Sequence, residues 1–363
     1  MAEEISSKVP EAHPMNGGDG PNSYAKNSTH QRRVVDVAKE LLNKAILEKL
    51  DIDITLLSNT FHIADLGCSV GPNTFYSVEN ILEAVQSKYQ IQGQNSQIPE
   101  FQVFFNDHAQ NDFNMLFKSL PQNRQYFAVG VPGSFHGRLF PKASIHIVHS
   151  SYAIQWLSRV PEAVVDSSSS AWNKGRIHYS NSTDEVIRAH ETQYSEDMEC
   201  FLHSRAQEIM YGGLMILMIP GRPDGTPHSH SQANMTLQFL GLCLMDMARK
   251  GDVSEEKVDS FNIPMYTMSP QELKTAVERN GCFSIEIMSD LPHHQLVDDT
   301  ITLSQLLASH LRAGMEGIVK QQFGEEIIDE LFDLYRNKCE EHASIFKSGK
   351  SCNFLVVLRR TAD

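Results

Sequence analysis

The stretch "ADLGCSVGPNTF", residues 64–75, follows the apolar run "FHI" and gathers two glycines, a proline and a short carboxylate where a strand should give way to a helix. A strand that stops at Asp65, turns through Gly67 and enters a helix near Asn73 makes the first βα corner of a doubly wound sheet, which is where such sheets bind ligands. Gly67 lets the backbone approach a ligand, and Gly71 with Pro72 shapes the helix entry. No Lys-Ser/Thr follows the second glycine, which excludes a Walker A loop. Ser69 stands where a dinucleotide fingerprint needs its middle glycine, so a nucleoside cofactor without a pyrophosphate fits better. S-adenosylmethionine is such a molecule, with an ammonium at its amino-acid end and a ribose diol. Asp65 can face the cationic end, and Asp107, closing "FFND", can accept from the ribose hydroxyls. Each feature alone also reads as a structural turn or a helix cap; in this order they favour cofactor binding.

Around that corner the sequence alternates. Apolar residues from Val34 to Leu50 recur at helical spacing behind Asn27, Ser28 and Thr29 as cap candidates. Then come "FHIADLG" as strand, "NTFYSVENILEAVQSKY" as helix, "FQVFFND" as strand, "NDFNMLFKSL" as helix, and "YFAVGVPG" and "ASIHIVHSS" as strands. The stretch 184–210 reads as a long helix, "GGLMILMIPG" as another strand, and "FSIEIM" with "CNFLVVLRR" as strands that close the sheet. The expected fold class is therefore α/β with a mainly parallel sheet. Residues 1–22 are expected to be a flexible segment; 23–221, 282–299 and 347–363 form the core; 222–281 and 300–346 form a helical cap over the strand ends.

Composition narrows the partners. With 31 basic against 45 acidic residues the net charge is −14, which disfavours nucleic acid and anionic membrane surfaces and leaves a small molecule as the expected partner. Six scattered cysteines without CxxC spacing read as reduced thiols, and no apolar run reaches membrane-spanning length, so a soluble cytoplasmic protein is expected. The histidines of "HSH" at 228–230 and the pair His293 and His294 lack the spaced second pair of a zinc site.

Eight ordered blocks, "MNGGDGPNSYAKNS", "DLGCSVGPNTF", "FFND…NDFN", "GVPGSFHGRLFP", "SSYAIQWLS", "NKGRIHY", "VDSFNIPMY" and "QFGEEI", resemble the plant SABATH family from Met15 to Arg359, most nearly its loganic acid and farnesoic acid-type members. That family methylates carboxylic acids and, in one branch, xanthine nitrogens. The resemblance implies a Rossmann-like class I methyltransferase sheet with helices on both faces and an α-helical cap. It implies that Tyr24, Cys68, Asn73, Asp107, His108, Ser134 and Phe135 line the S-adenosylmethionine site, although many relatives carry Leu at the position of His108. For the substrate it implies Gln31, Tyr152, Gln155 and Trp156, with Gln238, Tyr266 and Leu311 on the far wall. It also implies a structural magnesium at Asn173, Asp259, Asn262 and the Phe261 carbonyl, residues that read equally as turn and cap positions, and a homodimer.

The chemistry this implies needs no general base. A carboxylic acid with a reference pKa near 4 is ionised at neutral pH. Gln31 through its amide and Trp156 through its indole N–H can orient the anion without neutralising it. Charge disappears in the transition state, so a strong ion pair would favour the ground state and slow the step. Apart from the resemblance, Trp156 reads as well as a buried core tryptophan and Gln31 as an exposed helix residue. Gln155 and Gln238 can donate to and accept from hydroxyls, which points to a polar, oxygenated acid, terpenoid or iridoid-like; xanthine N-methylation, a non-catalytic binder and, more distantly, a NAD-dependent dehydrogenase are the alternatives.

Overall fold

The computed structural model describes residues 13–52, 59–292 and 302–361. A short helix α1 (Tyr24–Asn27) leads into α2 (Thr29–Lys49), whose buried Val34, Val35, Ala38, Leu42, Ala45 and Ile46 form one stripe. Ser28 precedes α2 but does not cap it with its side chain; its hydroxyl and carbonyl instead accept from Asn73 Nδ2, each at 3.0 Å. The chain continues through β1 (Thr60–Leu66), α3 (Pro72–Ile91), β2 (Glu100–Asp107), α4 (Phe113–Lys118), β3 (Phe127–Pro132) and β4 (Ile145–Ser151). Helix α5 (Asp184–Glu208) then feeds β5 (Ile209–Gly221).

The rest comprises α6 (Gln232–Lys250), α7 (Glu255–Asp259), α8 (Pro270–Asn280), β6 (Phe283–Leu291), α9 (Leu303–Phe323), α10 (Ile328–Glu341), α11 (Ala343–Ser348) and β7 (Cys352–Arg360). The seven strands lie in the order β3-β2-β1-β4-β5-β7-β6. The first five run parallel, and β7 is antiparallel to both β5 and β6. The sheet is mixed but mainly parallel, as expected, and the two expected strands close it at the C-terminal end of the chain. Strand β1 is interior and carries the opening corner at its C-terminal end, beside the ends of β2 and β4.

Helices cover both faces. Residues of α2 and α3 pack with Phe61, Ile63, Leu214 and Leu355 on one side, and α5 with α8 packs on Met215, Val356 and Leu358 on the other. A third apolar cluster joins α6, α9, α10 and α11. Helix α8 lies inside the stretch assigned to the cap, yet its buried Leu273, Ala276 and Val277 belong to the sheet core. Its capping box, Ser269 with Glu272, marks a helix start but says nothing of which layer the helix joins. Strand β5 begins three residues earlier than the apolar run suggests, because the pairing with β4 jumps from Ile145↔Ile209 to Ile147↔Leu214 and the extra residues bulge around Gly212, at φ +79°.

The described part of the N-terminal segment is tied down rather than running free. Asn16 N–H donates to the Ala313 carbonyl on α9, and Gly18 N–H donates to Asp112 Oδ2 at 3.0 Å. None of the helices among the described residues is long and apolar enough to cross a membrane.

Candidate functional site

The corner after β1 is held by β2. Gly67 and Cys68 N–H both donate to the Asn106 carbonyl, at 2.9 and 3.0 Å. Gly67 has φ +77°, and a Cβ there would stand 2.3 Å from the Ala153 methyl, so its glycine serves internal packing as well as ligand approach. Gly67→Ala is expected to cost roughly 2–4 kcal/mol of stability from the left-handed backbone and the overlap together. A thermal melt checks this, with Ala153→Gly recovering the overlap part. Ser69, in the fingerprint's middle position, takes φ +52° without being glycine. Tyr152, following β4, does the same at φ +55°.

Ser69 N–H donates to Asp107 Oδ2 and His108 N–H to Asp107 Oδ1, both at 2.8 Å. Burial pushes the Asp107 carboxyl up to about 6 against the pull of those two N–H groups, with Asp65 adding to the rise. Each oxygen holds one backbone hydrogen and keeps a lone pair, the acceptor pattern a ribose diol requires. His108 beside it is pushed down to about 4 by burial and by His136 and His13, so it is a neutral group at pH 7.

Tyr24, Gln31, Asp65, Cys68, Asn73 and His149 line one narrow cavity at this corner, together with Gly67 and Ser69. Burial, and then the Asp107 charge, keep the Tyr24 hydroxyl above the usual phenol range and therefore a neutral donor. Asp65 is 3% exposed; its carboxylate accepts from the Thr74 hydroxyl and from His149 Nδ1, the latter at 2.6 Å. The donor set fits a nucleoside with a diol and a cationic tail. Ser134 and Phe135 sit on the loop after β3: Ser134 Oγ accepts from His136 N–H at 3.3 Å, and the Phe135 ring is buried with Ala64 and Ala153.

Gln31 is 7% exposed, which removes the reading of it as a surface residue. Its Nε2 lies 3.4 Å from His310 Nε2, and His310 Nδ1 lies 3.3 Å from the Asn27 carbonyl. Burial holds His310 below the ordinary histidine range, so the ring is neutral, donates from Nδ1 to Asn27 and accepts one amide hydrogen of Gln31 at Nε2. The second amide hydrogen stays available, and Gln31 Oε1 is buried with no partner. The Tyr152 hydroxyl donates to Asn353 Oδ1 at 2.5 Å and meets His30 Nε2 at 3.1 Å. Gln155 Nε2 donates to the Tyr152 carbonyl at 2.8 Å, leaving Oε1 buried without a partner. The Trp156 ring lies 6.1 Å from the His13 ring, which brings the N-terminal segment over this turn.

The residues expected on the far wall, Gln238, Tyr266 and Leu311, all have protein partners. Gln238 Nε2 donates to Ser180 Oγ at 2.8 Å, so its amide is engaged by the protein. Tyr266 is fully buried between the rings of Tyr179 and Tyr194, and its hydroxyl donates to Glu272 Oε1 at 2.5 Å. Leu311 is buried in the α6–α9–α10 cluster. Glu272 lies six residues from Tyr266, whereas Ser180 meets Gln238 across 58. Sequence reasoning also missed His149 and His310; the one available signal was a histidine set in an otherwise apolar strand or helix face.

The magnesium quartet does come together, but as a hydrogen-bonded knot. Asn173 Nδ2 donates to Asn262 Oδ1 at 2.6 Å, Asn173 Oδ1 accepts from Ser182, and Asp259 Oδ1 accepts from Gly175 N–H at 2.7 Å. The group left without a partner is Asn262 Nδ2, a donor, and the Phe261 ring packs on Phe323. The quartet is thus joined by protein hydrogen bonds, and each of these oxygens keeps a second lone pair. Since those bonds join the quartet, dialysis against EDTA is expected to leave both turnover and melting temperature unchanged; a loss restored by magnesium alone would contradict this. Elsewhere Glu191, His228 and Glu272 approach one another, but Glu272 is taken by Tyr266, Arg222 and the Ser269 N–H. His293 and His294 lie outside the described residues.

The family model described as SAM dependent carboxyl methyltransferase matches residues 10–361. The loganic acid O-methyltransferase of Catharanthus roseus is 46% identical over 361 residues, 97% of this chain and 95% of that protein. The farnesoic acid carboxyl-O-methyltransferase of Arabidopsis thaliana is 42% identical over 347 residues, 95% and 98% of the two chains. A 3,7-dimethylxanthine N-methyltransferase of Camellia sinensis is 38% identical over 345 residues, 90% and 91% of the two. The solved structure of a loganic acid methyltransferase with SAH superposes with a TM-score of 0.92 at 45% identity, covering 96% of this chain and 99% of that one. With a strand-end corner built for a nucleoside, a neutral amide beside it and these likenesses over nearly its full length, the chain belongs to the S-adenosylmethionine-dependent carboxyl methyltransferases of the SABATH family.

Proposed function

We propose that the acid esterified by this enzyme is a small oxygenated carboxylic acid of the iridoid or terpenoid kind, such as loganic acid. The observation that carries this reading is the pair of acceptors Gln31 Oε1 and Gln155 Oε1, both buried and both without a donor. An unsatisfied buried acceptor costs about 1–3 kcal/mol, which a substrate hydroxyl can relieve and a hydrocarbon chain cannot. The likeness to a loganic acid O-methyltransferase supports the same class. Gln155→Met is expected to shift the ratio of kcat/KM for hydroxylated over hydrocarbon acids by about tenfold toward the hydrocarbon. A competition assay with loganic and farnesoic acids reads that ratio directly.

In this reading the methyl donor supplies an activated methyl on sulfur, and the chain's residues supply position. Asp107 holds the ribose hydroxyls, and Tyr24, Asn73 and the corner backbone hold the nucleoside. Gln31, fixed by His310, offers its remaining amide hydrogen to the substrate carboxylate, and Trp156 offers its indole N–H. Both are uncharged, so they bring an oxygen into line, worth up to several kcal/mol as orientation, without anchoring the charge that must vanish. A cytoplasmic homodimer belongs to the same proposal on family likeness, with sedimentation as its measure.

A further inference from the structure

His149 sits at the C-terminal end of β4, paired in register with Asp65 of β1. It is 1% exposed, and it lines the same cavity as Tyr24, Gln31 and Asp65. Its Nδ1 edge is committed at 2.6 Å to Asp65, whose other oxygen accepts from the Thr74 hydroxyl. A carboxylate only accepts, so Nδ1 carries the hydrogen, and in the neutral ring the far nitrogen, Nε2, is an acceptor. That nitrogen is buried and has no partner.

A buried lone pair without a donor is costly, and here it belongs to a cavity wall with a negative carboxylate directly behind it. The group it suits is therefore a donor and a cation. The amino-acid end of the methyl donor carries two ionic groups. Its carboxylate is repelled by both the lone pair and Asp65; its ammonium is attracted by both. We propose that His149 is a binding residue for the α-ammonium of the methyl donor, with Nε2 accepting one N–H while Asp65 and Thr74 fix the imidazole's orientation and tautomer. The inference rests on the reading of this cavity as the donor site. Asp65 then acts on the cationic end through His149 as well as by its own charge.

The test compares S-adenosylhomocysteine with its analogue bearing hydrogen in place of the α-amino group, by calorimetry. Loss of one hydrogen bond to a charged group corresponds to roughly a ten- to hundredfold preference for the amine in the wild type. His149→Leu is expected to reduce that preference to within about threefold of unity while leaving affinity for the deaminated analogue unchanged. A folded variant that keeps the preference, or that loses affinity for both ligands alike, overturns the proposal.

Because His149→Leu leaves Asp65 short of a buried partner and can fail to fold, the wild type supplies an independent readout. With 15N-labelled histidine, the Nε2 resonance of His149 is expected to move toward its hydrogen-bonded position on addition of S-adenosylhomocysteine and to stay put with the deaminated analogue. A resonance unmoved by the amine, or moved equally by both, overturns the proposal. Absence of binding by either ligand to the wild type would instead bring down the donor-site reading itself.

Discussion

Asp107→Asn is expected to weaken S-adenosylhomocysteine binding by roughly a hundredfold or more, the equivalent of about 3 kcal/mol. Whichever way the amide turns, its NH2 group faces one of the two backbone N–H groups that now donate to the carboxylate, from Ser69 and His108. One of those donors loses its partner, and the ribose loses charge-assisted bonds of about 1.5–3 kcal/mol each. The pH dependence gives the effect a signature. Burial lifts the Asp107 carboxyl to about 6, so wild-type affinity should fall about tenfold per pH unit below that value, as the acceptor is protonated away. The asparagine variant should show no such slope. The sign for stability is the reverse: a raised carboxyl pKa means that the folded state favours the proton. Asp107 therefore costs nothing below the unfolded value of 3.8 and its full penalty above about 6. The site carries that penalty until a ligand supplies hydroxyls to the charge.

The second large effect is expected at Gln31. Gln31→Glu places a carboxylate where the substrate carboxylate must lie; two like charges about 4 Å apart repel by about 4 kcal/mol at an effective dielectric constant of 20, a roughly thousandfold loss in kcat/KM. Gln31→Leu removes the donor without adding charge and should lose only about ten- to a hundredfold. The gap between the two variants measures the electrostatic part. Methyl transfer across a series of acids reads both, and S-adenosylhomocysteine affinity, which should stay within a few fold of wild type in the leucine variant, shows that the donor side is intact. Equal losses for the two variants would mean that Gln31 does not face the substrate's charge.

How much of this was legible in the sequence follows from the range of the interactions involved. The βα corner is local: Gly67, Ser69, Gly71 and Pro72 are neighbours, and their types alone mark a turn into a helix at a ligand-binding edge. The alternation of strands and helices is local too, and the observed sheet follows it except where β5 bulges. What escaped is non-local. His149 meets Asp65 across 84 residues, and His310 meets Gln31 across 279. Gln238 meets Ser180 across 58. The asparagines at 173 and 262 meet across 89 residues through a bond of 2.6 Å. Helix α8 shows the same limit on a larger scale: its amphipathic face announces a helix that must pack, without naming the surface it packs on.

If the turn after β1 holds the sulfonium donor and a neutral clamp beside it presents a carboxylate to the methyl group, the product is a methyl ester. The most direct measurement incubates the purified enzyme with methyl-labelled S-adenosylmethionine and a panel of loganic, farnesoic and salicylic acids and xanthines, and identifies the labelled products. Label appearing as the methyl ester of an acid, with loganic acid or another hydroxylated acid ahead of the hydrocarbon one, is the predicted result. Saturable donor binding with label on xanthine nitrogen, or on no substrate at all, would contradict it.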